Sequence, residues 1–466
     1  LRNITFALLV FAAARTGSAQ DISARLDQYM SARAALGQFN GVALVAREGK
    51  ILLHKGYGYS SLEQEVPNGP QTKFEAASIT KQFVAFAIQQ LRDGGKLSLN
   101  DSICRFVDSC PPAWTAVTID HLIHHSSGIP DYEAALELGS VKYNQYMAAP
   151  NTADSIVAQA KPKPLDFAPG TKFSYSNTGY ILLAKVIERV SGKTFADYMR
   201  VYVFAPLGMS ATGIILADRY VLGLARGYAV SEELSLTDIV AGLPPLNGPY
   251  TPAAIADMAG AHGDGGMYTT AEDLFKWDQA LYSPALSGRV AELFTPKLGY
   301  GFGWVIESRL GLVMQSHTGA VPGYLSRIER FPEVKLTEIF MTNFNNARLS
   351  RIARDLQAIV LGKPYDVPRS HRLVARDSAR ESSLAGSYAL PDGRIVVATG
   401  GERFLEISIK DRFTAGLLPE GGDVFYAPFF EGTVKFERSS DGRGRTLTMH
   451  YDGEDRVATL VRSGSP

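Results

Sequence analysis

The sequence predicts an α+β protein in which one antiparallel β-sheet, flanked by helices and joined to a helical region, is followed by a small all-β C-terminal domain. Three observations predict it. Strand-like segments stand near both ends of residues 20–362 with helical patterns between them, and one sheet built from both ends is the economical arrangement. The segment Gln82 to Leu91 is apolar on nearly every side of its axis, as in a helix buried in a core. After residue 381 the pattern turns to period two, with Leu405, Ile407 and Ile409 alternating with Glu406, Ser408 and Lys410.

With 466 residues the chain has room for two or three domains of about 150 residues each. Its 47 Lys+Arg balance 47 Asp+Glu without a long run of either sign, which points away from nucleic acid and anionic membranes as partners. Residues 1–19 read as a signal peptide, with Arg2 as the basic end, Ile4 to Ala14 as the apolar stretch and Gly17-Ser18-Ala19 as the cleavage site. The apolar run is shorter than the roughly 20 residues needed to span a bilayer. No cysteine stands at the cleavage point to carry a lipid. A periplasmic or secreted protein, not inserted in a membrane after leader removal, is therefore expected.

In order, the first elements are a helix over residues 22–36 and strands Gly41 to Ala46 and Ile51 to Gly56 around a turn at Glu48-Gly49. A buried helix begins near Ser78 and stops at Asp93-Gly94-Gly95. A short helix runs from Thr118 into His124-His125-Ser126-Ser127-Gly128, and residues 131–168 carry no clear pattern. Tyr175 and Asn177 precede the amphipathic helix Ile181 to Val190, at the kind of junction that carries binding groups. Residues 230–261 are irregular and rich in Gly and Pro, after which Thr269 and Glu272 are spaced as a capping box. Strands Gly303 to Ile306, Leu312 to Gln315, Leu325 to Phe331 and Glu338 to Met341 follow, then a helix from Leu349 to Val360. A charged, Pro-containing linker over residues 363–381 leads to the domain of residues 382–466, a barrel or sandwich with turns at Asp392-Gly393, Asp441-Gly442 and Asp452-Gly453.

Three of the eight histidines are His121, His124 and His125, at spacings a metal site uses. The Glu of an H-E-x-x-H pattern and a third protein ligand are both missing, so packing or capping roles are expected, with no metal and no cofactor. Cys104 and Cys110 are either a local disulfide or two free thiols, and no neighbouring base marks either as catalytic.

The chemistry centres on Ser78 and Lys81, three apart and so on one face if the run is helical. A serine hydroxyl needs a base beside it to attack a carbonyl. Burial disfavours the charged form of a lysine, which frees it to take that proton. Two later motifs, Tyr175-Ser176-Asn177 and His317-Thr318-Gly319, complete an ordered set. With these residues the chain resembles the penicillin-recognising serine hydrolases, and most the branch holding class C β-lactamases, D-alanyl-D-alanine carboxypeptidases and related esterases. The resemblance spans about Gly41 to Val360; a sister pattern pairs Ser-x-x-Lys with S-D-N and K-T-G.

The resemblance implies a β-lactamase/transpeptidase-like fold over its span, and the period-two strands beyond it are expected to form the small all-β domain, a lipocalin-like barrel. It implies Ser78 as acylated nucleophile, Lys81 as its proton partner and Tyr175 as base or proton shuttle. A phenol ionises only near pH 10, so that role calls for a cation close by. Asn177 is implied to bind the substrate amide, His317, Thr318 and Gly319 to line the substrate site, and the Ser78 and Ala320 amides to receive the oxyanion. His317 replaces the lysine of K-T-G enzymes. If it anchors a substrate carboxylate, carboxylate-bearing substrates should gain over neutral esters as pH falls from about 7 to 6 and the imidazole charges. Three readings of function remain: an exported hydrolase forming an acyl-enzyme with a D-amino-acid peptide or D-Ala-D-Ala-type substrate; an esterase or class C-like β-lactamase using the same residues; and a non-catalytic penicillin-binding or sensor protein. The expected partner is a small peptide, ester or β-lactam.

Overall fold

The computed structural model describes residues 20–463 apart from 135, 137–139, 231–249, 255, 259, 284–285, 402–403 and 441–443. The expected signal peptide, most of the irregular stretch 230–261 and the turn at Asp441-Gly442 lie outside the described residues. These form two compact units, one of residues 39–230 and 250–349, the other of 20–38 and 350–463.

The first unit is built on a six-stranded antiparallel sheet in the order Val305–Arg309, Leu312–Val321, Tyr324–Phe331, Leu336–Thr342, Gly41–Arg47, Lys50–Tyr57. Chain ends and middle thus meet at the pairing of Gly41 with Thr342. Leu336–Thr342 is buried along its whole length, as expected of a central strand covered on both faces. Against the sequence reading, His317-Thr318-Gly319-Ala320 does not follow a strand but lies within one. Pairing with the next strand continues from Gln315↔Arg330 to Val321↔Tyr324, because the chain turns back only at Pro322-Gly323, where Gly323 has φ +81°.

The helix Thr80–Asp93 is buried on nearly every side, Phe83 and Phe86 lying 4.9 and 5.2 Å from the ring of Trp277. Phe83 also meets Phe204 at 5.7 Å. The helix Asn177–Ser191 ends at Gly192 in the left-handed region, φ +69°. The helix Ala271–Ala280 is capped one residue later than Thr269 and Glu272 suggested. Thr270 accepts the Asp273 amide at 3.2 Å, while Thr269 closes the strand Met267–Thr269 and bonds the Thr212 hydroxyl at 2.6 Å. His121 and Thr118 cap the helix Ile119–Ile123 reciprocally. Cys104 and Cys110 form a disulfide with Cα atoms 5.3 Å apart.

In the second unit an eight-stranded barrel closes where Gly386–Ala389 pairs with Glu454–Ser463. The inward residues of each period-two strand, among them Leu405, Ile407, Leu417, Val434, Phe436, Leu447 and Met449, fill its interior. The same unit holds helix 20–35 and the helix Leu349–Val360, tied to barrel turns by buried ion pairs. Arg33 meets Glu431 at 2.7 Å and Asp355 at 3.6 Å, Tyr29 donates to Asp355 at 2.6 Å, and Arg351 bridges Asp355 (3.0 Å) and Asp452 (2.8 Å). Among the described residues no helix is long and apolar enough to cross a membrane.

Candidate active site

Ser78 stands on a turn, not on the helix proper. The strand Phe74–Glu75 pairs with Met267–Thr269, and Ala77 then turns sharply at φ +47°, a conformation uncommon for any residue but glycine. A single 3₁₀ turn, Ala77–Ile79, leads into Thr80–Asp93. Surrounding bonds hold the strained turn in place: Thr80 Oγ1 donates to Ala77 O at 2.6 Å and Ser326 Oγ to Ala76 O at 2.7 Å. No side chain caps the turn or the helix; the Ile79 amide bonds Ala76 O at 3.2 Å and the Thr80 amide bonds Ala77 O within the turn.

Lys81 is fully buried and its Nζ reaches three acceptors: Ser78 Oγ at 3.0 Å, Asn177 Oδ1 at 2.8 Å and Asp264 O at 2.7 Å. Three segments far apart in sequence therefore converge on one nitrogen. Tyr175 presents its ring to the same group, with Lys81 Nζ 4.9 Å from the ring centroid. Its side chain is 37% exposed, and among the described residues its hydroxyl has no hydrogen-bond partner. Asn177 opens its helix behind the N-cap Ser176, and its amide is already held by Lys81 and, through Nδ2, by Glu133 Oε2 at 3.0 Å.

The His317 strand borders the nucleophile turn at Gly319. A Cβ there would stand 2.3 Å from Ala76 O and 2.4 Å from Ser326 Oγ, so only glycine permits the approach. Thr318 is exposed and Ala320 half-buried on either side of it. His317 itself is buried. Its Nε2 lies 2.8 Å from Tyr300 Oη and its Nδ1 2.6 Å from Thr318 O, which fits a neutral ring that accepts from the phenol and donates to the carbonyl. Burial first, then the Lys81 charge, bring its pKa down to about 3. Against the expectation of an imidazole that charges between pH 7 and 6, its burial beside the Lys81 cation favours the neutral ring.

The sequence reading missed an acidic side of the site. Asp131 Oδ2 accepts the Asn177 amide and, at 3.4 Å, that of Thr178, at the start of the helix. Asp264 accepts the Tyr132 hydroxyl on Oδ2 at 3.0 Å, while its Oδ1 is buried without a hydrogen-bond partner. Burial raises the pKa of Asp131, of Glu133 and of Asp264, the last to about 7 despite the opposing pull of Lys81. Two acids in Asp131-Tyr132-Glu133 and a third in Gly263-Asp264-Gly265 were the available signals. Neither has a periodicity to mark it.

A fold of this topology, with a serine on a tight turn before a buried helix and a lysine bonded to it, defines the class. A family model described as beta-lactamase matches residues 26–361, and the chain belongs to that family, within the penicillin-recognising serine hydrolases. More particularly, it is 30% identical to penicillin-binding protein 4* of Bacillus subtilis (strain 168) over 91% of this chain and 96% of that one. It is 26% identical to the D-aminopeptidase of Gluconobacter oxydans (strain 621H) over 94% of this chain and 79% of that one. The fold resembles that of an octameric penicillin-binding protein homologue from Pyrococcus abyssi, with a TM-score of 0.63 and 23% identity over 94% of this chain and 99% of that one.

Proposed function

We propose that the protein is an exported serine hydrolase that works through an acyl-enzyme on short D-amino-acid peptides or amides whose acyl residue carries a free amine. The observation that carries the reading is Lys81 Nζ, 3.0 Å from Ser78 Oγ and also bonded to Asn177 and Asp264. Ser78 Oγ attacks the carbonyl carbon while the Lys81–Tyr175 pair takes its proton. The Ser78 and Ala320 amides receive the oxyanion, each such donor being worth about a hundredfold or more in rate. Collapse expels the leaving amine, which takes the proton back. Water, deprotonated by the same pair, then splits the Ser78 ester and releases the acid.

The charge distribution supports a substrate amine over a substrate carboxylate. His317 supplies no positive charge near neutral pH, so a terminal carboxylate gains nothing from it. By contrast, Asp131 and Glu133 present carboxyl oxygens to Asn177, and Asp264, whose backbone carbonyl accepts from Lys81, keeps one carboxyl oxygen buried without a partner. The name of the D-aminopeptidase relative agrees with this preference.

The test is a panel of D-alanine p-nitroanilide, its N-acetyl derivative, a D-Ala-D-Ala peptide, a short p-nitrophenyl ester and nitrocefin. The free-amine anilide is expected to exceed its N-acetyl twin in kcat/KM by about tenfold or more, the scale of a hydrogen bond to a charged group. Equal rates on the twins would remove the amine preference. Absence of any covalent adduct on Ser78 across the panel would remove the hydrolase itself and leave a binding protein.

A further inference from the structure

We infer that His125 is the residue that positions the Tyr175 phenol, acting as a neutral clamp on both sides of it. This rests on the reading of Tyr175 as part of the proton-accepting pair.

Residues 172–176 belong to no strand or helix, so the backbone around Tyr175 has no ladder to fix it. His125 supplies the missing bonds. Its carbonyl accepts the Ser174 amide at 2.8 Å, and its Nδ1 accepts the Ser176 amide at 3.0 Å. One residue thus satisfies the donors before and after Tyr175. Its ring also lies against the Tyr175 ring, centroids 4.3 Å apart and planes 31° from parallel. The imidazole also packs near Tyr300 at 4.5 Å, Tyr180 at 5.1 Å and Phe173 at 5.8 Å between ring centroids.

The chemistry of the ring favours this role over simple packing. Because Nδ1 accepts an N–H, the ring proton sits on Nε2, and that N–H is buried without a partner. A phenylalanine would fill the same aromatic box without burying an unpaired donor. What the histidine adds is the acceptor aimed at Ser176. The ring must stay uncharged to offer it, since an imidazolium would set N–H against N–H. Burial first, then the charge of Lys81 nearby, holds its pKa well below the ordinary value. The backbone of His125 is left-handed, φ +52°, which histidine and asparagine tolerate better than bulky apolar residues.

Two variants separate the parts. His125→Phe keeps a ring and loses the acceptor. His125→Asn keeps an acceptor near Nδ1 and suits the left-handed backbone. On the best substrate of the panel above, His125→Phe is expected to lose about a hundredfold in kcat with KM changed by no more than about threefold, the scale of a misplaced catalytic group. His125→Asn should recover about tenfold of that loss. The decisive measurement is the cycle with Tyr175→Phe. If His125 acts through the phenol, adding His125→Phe or His125→Asn to Tyr175→Phe costs nothing further. Losses that multiply would overturn the inference, as would wild-type kcat in both His125 variants when Tyr175→Phe is crippled. Should Tyr175→Phe itself retain wild-type kcat, the role of the phenol falls first, and the clamp with it. If His125→Phe does not fold, the asparagine arm of the cycle carries the same test.

Discussion

Burial pushes both sides of the Ser78 site toward their neutral forms, but the Lys81 charge reinforces this on one side and opposes it on the other. On the strand side, desolvation drives His317 toward its neutral form, and both of its nitrogens are paired with groups that suit that form. On the loop side, desolvation also pushes Asp131, Glu133 and Asp264 toward neutrality, but the Lys81 charge pulls each back, and Asp264 is left near pH 7. The same physical cause thus silences one side and leaves the other responsive. Histidine in place of a K-T-G lysine therefore does more than weaken a cation: it shifts the charge of the site toward the acids.

The largest effect that sharpens this comparison removes the group both sides serve. Ser78→Ala should lower kcat by on the order of a millionfold, the scale of losing a serine nucleophile, with Tm and circular dichroism unchanged. Residual turnover close to wild type would mean that another residue attacks. Glu133→Gln comes next. It should cut kcat/KM on free-amine substrates by about 10–100-fold, and on their N-acetyl twins by much less, since only the former exchange a charged hydrogen bond. Equal losses on both would make Glu133 a support for Asn177 alone.

Asp264→Asn should show itself in stability. The folded-state pKa, about 7, lies above the ordinary carboxyl value, so the folded protein holds more protons than the unfolded chain between about pH 4 and 7. Stability from this group is present at the acid end and is lost as pH rises through that window. Asparagine removes the slope while still accepting from Tyr132. Its Tm advantage over wild type should be a few degrees at about pH 8 and shrink toward about pH 4, at roughly 2–4 °C per kcal/mol for domains of this size. A constant offset across the range would contradict it. The smallest effect is an absence of change: the ratio of rates on carboxylate-bearing and neutral substrates should stay flat from about pH 8 to 5, because His317 does not charge there. A rise below about pH 7 would return His317 to the role of a titrating anchor.

Much of the fold was legible because it rests on patterns with a fixed period. Alternation at Leu405, Ile407 and Ile409 fixed which faces of a strand point into the barrel, and the all-round apolar helix after Lys81 marked a core. The joining of Gly41–Arg47 to Leu336–Thr342 followed from strands at both ends. Less legible was anything set by contact between distant segments. The end of the Leu312–Val321 strand depends on its partner, Tyr324–Phe331, and not on its own composition. Thr270 takes the cap because Thr269 is held in a strand by Met267–Thr269 pairing with Phe74–Glu75. In the site, Ser78 and Lys81 were readable from their spacing, since three residues of chain fix their distance. Asp264 and Glu133 reach Lys81 and Asn177 across 183 and 44 residues, and no local pattern encodes that meeting.

The ion pairs around Arg33 bear on where this chain tolerates being cut. The charged stretch after residue 362 looks like a natural place to sever the barrel, yet Arg33, 3% exposed on the first helix, has one of its two carboxylate partners, Glu431, on a barrel turn. Arg351 likewise reaches Asp452 beyond that point. Arg354 pairs with the same Asp452, so removal of the last eight strands would leave three guanidinium groups, each short of a counter-ion, on the helices that remain; the barrel is better understood as scaffolding for those helices than as a detachable accessory.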